Sequence, residues 1–258
     1  MPMSQKRNTN VQILLDHKQN QTESLLSAAL LAKTLKVQLQ GLFIEEEALL
    51  RAAAFPLASE ISLRSGKERH ITGDGMQRIL RSHARRLQGL VEKVAHEKRI
   101  DYTFQIIRGE KSSWLKENRN TSEILFIGGH EPTTKSHRAF KYCSEIFHPL
   151  VAIFDGSIGS DNALKTALQI AENNNKPLHI FFLDDGLLAE NAKKEQLEPL
   201  IKNHAELLIS IETISKTYLT ELLQRRKINL LIFSSDSDWV KDHEGFIHYL
   251  SCPSLIVT

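Results

Sequence analysis

The chain has 258 residues, 41% of them hydrophobic and 25% charged, with a formal net charge of +2. This is an ordinary globular balance with apolar material for two cores, and the near-neutral charge argues against a general polyanion binder. Two cysteines exclude a disulfide framework, and no apolar run approaches the roughly 18 residues a membrane helix needs.

The N-terminal stretch MPMSQKRNTN lacks the apolar core of a signal peptide, so a cytoplasmic protein is expected. Val11 to Leu15 is a short apolar run and reads as a buried strand, ended by Asp16. Asn20 to Thr22 make a turn, Leu25, Ala28, Leu31 and Ala32 recur at helical spacing, and Val37 to Ile44 is the next strand. Glu47 to Gly75 carries no strand signal. Its first part is helical through Leu49, Leu50 and Ala53 until Pro56 interrupts it, and its second part reads as a polar loop.

Asp74 is a cap for a helix over about Met76 to Lys98, whose Leu80, Ala84, Leu87, Val91 and Val94 form one apolar stripe. Arg78, Arg81 and Arg85 form a basic stripe beside it. It lacks the interleaved aromatics of a nucleic-acid site and reads as a solvated face, so no nucleic-acid partner is expected. Tyr102 to Ile107 is a third strand, Arg108 to Glu110 a turn, and Ser112 or Ser113 the cap of a short helix. Ile124 to Ile127 is a fourth strand, closed by Gly128, Gly129 and His130. A polar, partly helical segment from Glu131 to His148 follows.

The pattern then starts afresh. Leu150 to Phe154 is a strand, Asp155, Gly156 and Ser157 its turn, and Ser160 or Asp161 caps a helix through Leu164, Ala167, Leu168 and Ala171. Aligning Asp16 with Asp155 puts Leu25 on Leu164, Ala28 on Ala167 and Ala32 on Ala171. Strands over Leu178 to Leu183, Leu207 to Ile211, Leu230 to Phe233 and Ser254 to Thr258 alternate with helical segments at Ala189 to Ile201, Thr217 to Arg226 and Trp239 to Leu250. The fourth-strand segment ending in Gly128-Gly129 repeats in the one ending in Ser234-Ser235. Such a repeat is a duplicated domain, which predicts two tandem α/β domains with parallel sheets covered by helices. They span residues 1–147, with an insertion at 47–75, and 148–258.

These motifs together resemble the universal stress protein family in a tandem arrangement. VAIFDGS (Val151 to Ser157), IIRGEKSSWL (Ile106 to Leu115), EILFIGGH (Glu123 to His130) and CPSLIVT (Cys252 to Thr258) carry the resemblance. It implies a Rossmann-like or flavodoxin-like fold with strand order 3-2-1-4-5 and dimers joined through the fifth strand. It also implies a nucleotide crevice in the branch that binds ATP or AMP through Gly-x2-Gly-x9-Gly-Ser/Thr. By that resemblance Asp16 and Asp155 stand at the adenine-ribose position, with Gly156 beside the latter, and Gly128, Gly129 and His130 open the phosphate loop. Here Glu131 replaces its second glycine, Ser234 and Ser235 replace the opening glycines of the second half, and Asp236, Asp238 and Asp242 add carboxylates. Carboxylates repel a triphosphate, and losing glycine restricts close backbone approach. No bound cofactor is therefore expected, with ATP or AMP as the alternative. Asp155 and Asp16 have a second reading, as turn residues accepting backbone amides.

The family's fifth strand raises a conflict. The only Pro-led apolar run after Gly129 in the first half is Pro149 to Phe154, and it already opens the second domain. One strand cannot serve two sheets, so the first domain is expected to have four strands of its own. Its open edge is expected to be covered by Ser254 to Thr258, within the chain or from a second copy. The partners expected are thus a homodimer or an intrachain pseudo-dimer, and a regulatory protein of unknown identity.

No catalytic constellation is legible. A P-loop, an H-E-x-x-H pair and a G-x-S-x-G elbow are all absent. Asp236, Asp238 and Asp242 lack the glycine and terminal glutamate of a calcium loop, His243 and His248 are poorly spaced for one metal, and Cys143 and Cys252 read as small hydrophobes. The sequence predicts a stress-related binding or regulatory protein and neither an enzyme nor a metal site.

Overall fold

The computed structural model describes residues 10–15, 21–62, 65–118, 124–128, 149–184, 187–225, 228–242 and 252–258. The first half contains β1 (Asn10–Leu15), α1 (Thr22–Leu35), β2 (Gln38–Glu46), α2 (Glu47–Ala53), β3 (Ser59–Ile61), β4 (Glu68–His70), α3 (Gly73–Lys98), β5 (Tyr102–Gly109), α4 (Lys111–Asn118) and β6 (Ile124–Ile127). The second contains β7 (Leu150–Phe154), α5 (Ile158–Asn174), β8 (Leu178–Asp184), α6 (Leu187–Lys202), β9 (Ile209–Ser215), α7 (Lys216–Arg225), β10 (Leu230–Ser234), α8 (Asp238–Asp242) and β11 (Ser254–Val257).

One nine-stranded sheet runs through the molecule in the order β5-β2-β1-β6-β11-β10-β7-β8-β9. The first half contributes order 3-2-1-4 and the second 3-2-1-4-5, as the sequence predicts. All pairings in this sheet are parallel except β6 with β11, which is antiparallel and sets Ile127 opposite Ser254 and Ile124 opposite Val257. The last strand of the second half therefore covers the open fourth-strand edge of the first, within the chain. β7, β10 and β11 are buried throughout and apolar apart from Ser234 and Ser254, as suits central strands covered on both faces. The outer strands β5 and β9 are half polar and largely exposed.

The two apolar cores divide by sheet face and not by half. One lies under α1, α3 and α5 and joins Ile13, Phe43 and Leu87 to Phe154, Leu164 and Ile232. The other joins Leu125 of β6 to Val151, Phe233, Trp239 and Ile256. The continuous sheet makes α1 and α5 neighbours, and Asn173 Nδ2 donates to the carbonyl of Thr34 at 3.0 Å.

Several local expectations are corrected. α5 is capped by Ser157, not by Ser160 or Asp161, because the Ser157 hydroxyl already accepts from Ser160 N–H at 3.2 Å. α3 is capped by Thr72, not Asp74, through the Gly75 N–H. α4 starts at Lys111, so Ser112 and Ser113 lie inside it. Residues 47–75 are not strand-free, because β3 and β4 pair antiparallel. β5 continues through the predicted turn to Gly109, and β9 lies later than predicted, at Ile209–Ser215. Both are edge strands whose polar residues hide the apolar run.

Candidate functional site

β7 and β10 lie side by side and parallel, so the turns after them meet at the carboxyl edge of the sheet. That is the topological switch point of the second half, where open α/β sheets leave a crevice. After β7, Asp155 Oδ1 accepts the Ser157 N–H at 3.0 Å, which closes an Asx turn. Gly156 has φ +78, a left-handed conformation that favours glycine, and a side chain there would also press on Lys193. Ser157 then begins α5, and Ser160 Oγ donates to its carbonyl at 2.7 Å.

The turn after β10 is built from serines. Ser234 Oγ accepts the Asp236 N–H at 3.0 Å, and Ser235 N–H donates to Val257 O at 2.9 Å. Val240 and Lys241 N–H groups donate to the Ser237 carbonyl at 3.0 and 3.1 Å. Ser234, Ser235 and Ser237 are each 1% exposed, and the hydroxyls of Ser235 and Ser237 are buried without a hydrogen-bond partner.

The two turns touch at Gly159, in the first turn of α5. A Cβ on Gly159 would overlap the Ser234 hydroxyl and stand 3.1 Å from Asp236 Oδ2. A helix's first turn has free amides and the positive end of its dipole. Asp236 therefore sets a carboxylate beside the first turn of α5, where the Ser157 hydroxyl already takes the Ser160 N–H. Beside it is a cleft of about 190 Å³ lined by Asp155, Gly156, Ser157, Lys216 and Asp238. Two carboxylates and one ammonium leave the lining net negative, and Asp238 Oδ1 also meets Lys241 Nζ at 3.4 Å. Such a lining can hold small polar or cationic groups. Among the described residues that line it there is no histidine or cysteine.

Of the predicted site residues, Asp155 and Gly156 line this cleft, while Ser234 and Ser235 form its neighbouring turn. Gly128 stands half-buried at the end of β6, and a Cβ there would overlap the Ser24 hydroxyl on α1. This is the Gly159–Ser234 contact with serine and glycine on exchanged sides. Asp16, Gly129 and His130 lie outside the described residues, as does Glu131. Lys216 was missed by the sequence reading. It follows β9 directly, and placing that strand too early hid its position at the carboxyl edge.

Elsewhere, burial pushes the Cys252 thiol pKa up, against the lowering effect of Ser254. Arg78, Arg81 and Arg85 are exposed, and Arg108 meets the buried Glu45 at 3.3 Å. With its amide oxygen turned inward, Gln77 accepts from Arg81 at 3.1 Å and Arg108 at 3.3 Å. Among the described residues no group of three His, Cys, Asp or Glu side chains could hold a metal ion, and no helix is long and apolar enough to cross a membrane.

No family model and no curated protein matches the chain. Solved structures do. A universal stress protein from Archaeoglobus fulgidus DSM 4304 superposes with a TM-score of 0.62 at 12% identity, over 97% of this chain and 96% of that one. A putative universal stress protein from Pseudomonas aeruginosa UCBPP-PA14 gives 0.49 at 13% identity, over 97% and 93%. The cytoplasmic domain of a prokaryotic cation chloride cotransporter gives 0.44 at 12% identity, over 96% and 95%. The first of these carries the conclusion on fold: the chain has an α/β architecture similar to that of a universal stress protein along nearly its whole length.

Proposed function

We propose that this is a cytoplasmic, non-catalytic binding protein of the universal stress protein kind, which works through a protein partner and does not hold a nucleoside triphosphate. The observation that carries this reading is Asp236 Oδ2 against Gly159 at the start of α5. A carboxylate thus stands beside the first turn of α5, and Asp155 and Asp238 add negative charge nearby. Triphosphate would meet carboxylates where a phosphate loop offers glycine amides.

Isothermal titration calorimetry with ATP and with AMP tests it. No affinity tighter than about 0.1 mM is expected, roughly −5.5 kcal/mol. Micromolar binding would overturn the reading in favour of a nucleotide-binding protein. One observation favours that second reading: Asp155 and Lys216 share a cleft at the switch point, where any ligand of such a sheet is expected.

A further inference from the structure

Among the described residues the nine-stranded sheet ends in two unpaired edges, β5 and β9. Nine large apolar side chains are exposed among the described residues, and five of them lie on β5 or in the insertion that follows β2. Tyr102 and Ile106 are on the strand itself, 36% and 52% exposed. Phe55, Leu57 and Ile61 belong to the insertion, which begins as β2 ends opposite Gly109 and is tied to the end of β5 by Arg51 and Glu110 at 3.8 Å.

The hydrogen-bonding direction of β5 follows from its register. Leu39 N–H donates to Asp101 O at 2.9 Å, and Leu39 lies opposite Tyr102 in a parallel pair. Asp101, Thr103, Gln105, Ile107 and Gly109 therefore bond to β2. Tyr102, Phe104, Ile106 and Arg108 turn their N–H and C=O groups outward. The strand is eight residues long and has no proline and no lysine. An edge of this length, with Tyr102, Phe104 and Ile106 in its outward row and without those guards, is a template for another strand.

We propose that β5 is the seam of a homodimer, in which two copies pair antiparallel about a two-fold axis at Gln105. This inference is independent of the crevice. In that register every outward residue meets an outward residue. Phe104 lies opposite the partner's Ile106, an aromatic and β-branched pair. Tyr102 lies opposite the partner's Arg108, on the same face, where ring and guanidinium attract. The two-fold repeats both pairs, so the strand is self-complementary over its length. A standard interface takes about 20–30 residues a side, more than one strand supplies. The self-complementary register favours a second copy of this chain over an unrelated peptide, and the exposed Phe55, Leu57 and Ile61 of the insertion offer further apolar area in the same half. The chain's own fifth strand is not open to this use, because β11 is paired on both sides by β6 and β10.

Sedimentation velocity across the micromolar range reads the association. Wild type is expected to dimerise, and Ile106→Lys and Ile106→Pro each to weaken the dimer at least about tenfold. The Ile106 side chain is half exposed, so the melting temperature of the lysine variant should stay near wild type. The equivalent β9 variant, Ile211→Lys, should not alter association. Gln105→Cys reports the register: across the axis the two α-carbons stand about 4.5 Å apart in a non-hydrogen-bonded pair, within disulfide reach. That variant should oxidise to a covalent dimer, while wild type, which has only Cys143 and Cys252, should not. A monomer at all concentrations, a dimer that survives both Ile106 variants, or one broken by Ile211→Lys would overturn the proposal. So would a monomer whose β5 takes up an extended peptide.

Discussion

Gly159 lacks a side chain where the Ser234 hydroxyl needs the room, and that contact sets how closely the two crevice turns approach. Gly159→Ala should therefore cost about 1–3 kcal/mol, as overpacking of a tight site does. Combining it with Ser234→Gly should recover much of the loss. Urea denaturation of both singles and the double mutant measures the coupling, and purely additive costs would show that the two residues do not meet. Cys252 gives a pH test. Its unfolded thiol ionises near pH 8.5, whereas burial raises the folded value above that. Below about pH 8.5 both states keep the proton and nothing changes. Above it the unfolded chain releases its proton first and binds fewer, so stability falls as pH rises toward the folded pKa. Replacing the thiol, as in Cys252→Ala, should flatten that alkaline decline in melting temperature. Asp155 and Gly156 were legible because turn chemistry at the end of an apolar run marks them. Lys216 and Gly159 were not, because each acts through a contact far away in the chain.

The basic stripe of α3 has exposed arginines with local attachments, such as Arg78 Nε donating to the Asp74 carbonyl at 3.4 Å. Changing Arg78, Arg81 and Arg85 together to Gln should shift stability by no more than about 1 kcal/mol, since exposed charges contribute little. Thermal melts read this. Loss of DNA or RNA binding at physiological salt in that variant alone would overturn the solvated-face reading. α3 and β1 were legible because their burial follows one clean period, with Leu80, Ala84, Leu87, Val91 and Val94 of α3 all facing the core, and β7 because it is a short, wholly apolar run closed by turn residues. The β3–β4 hairpin was not. Its strands have three residues each, are mostly exposed, and are joined across by Ser59 to Glu68 and by Arg69 to Glu60, not by apolar packing. β9 was placed too early for the related reason that Ser210, Glu212 and Thr213 interrupt its apolar residues.

Across the whole molecule, the duplicated pattern produces one sheet and not two separate ones, because β6 of the first half pairs with the last strand of the second. That strand, β11, bonds to β6 on one side and β10 on the other. Its side chains enter both cores, Leu255 and Val257 on the α1–α5 face and Ile256 on the Trp239 face. Asn162 Nδ2 also donates to the Thr258 carbonyl at 3.3 Å, which ties the chain end to α5. Removing Cys252 to Thr258 would leave an apolar edge open on each half and strip the cover from Leu125 and Phe126. Buried apolar side chains stabilise by about 1.5–3 kcal/mol each, so losing Leu255, Ile256 and Val257 rivals the whole margin of a typical domain. The truncated chain should therefore lose stability in both halves together. Hydrogen exchange separates this from a defect confined to the second half: the β6 amides of Ile124 to Ile127 that face β11 should exchange far faster in the truncated chain. If those amides keep the protection they have in the full chain, β11 does not hold the first half's edge.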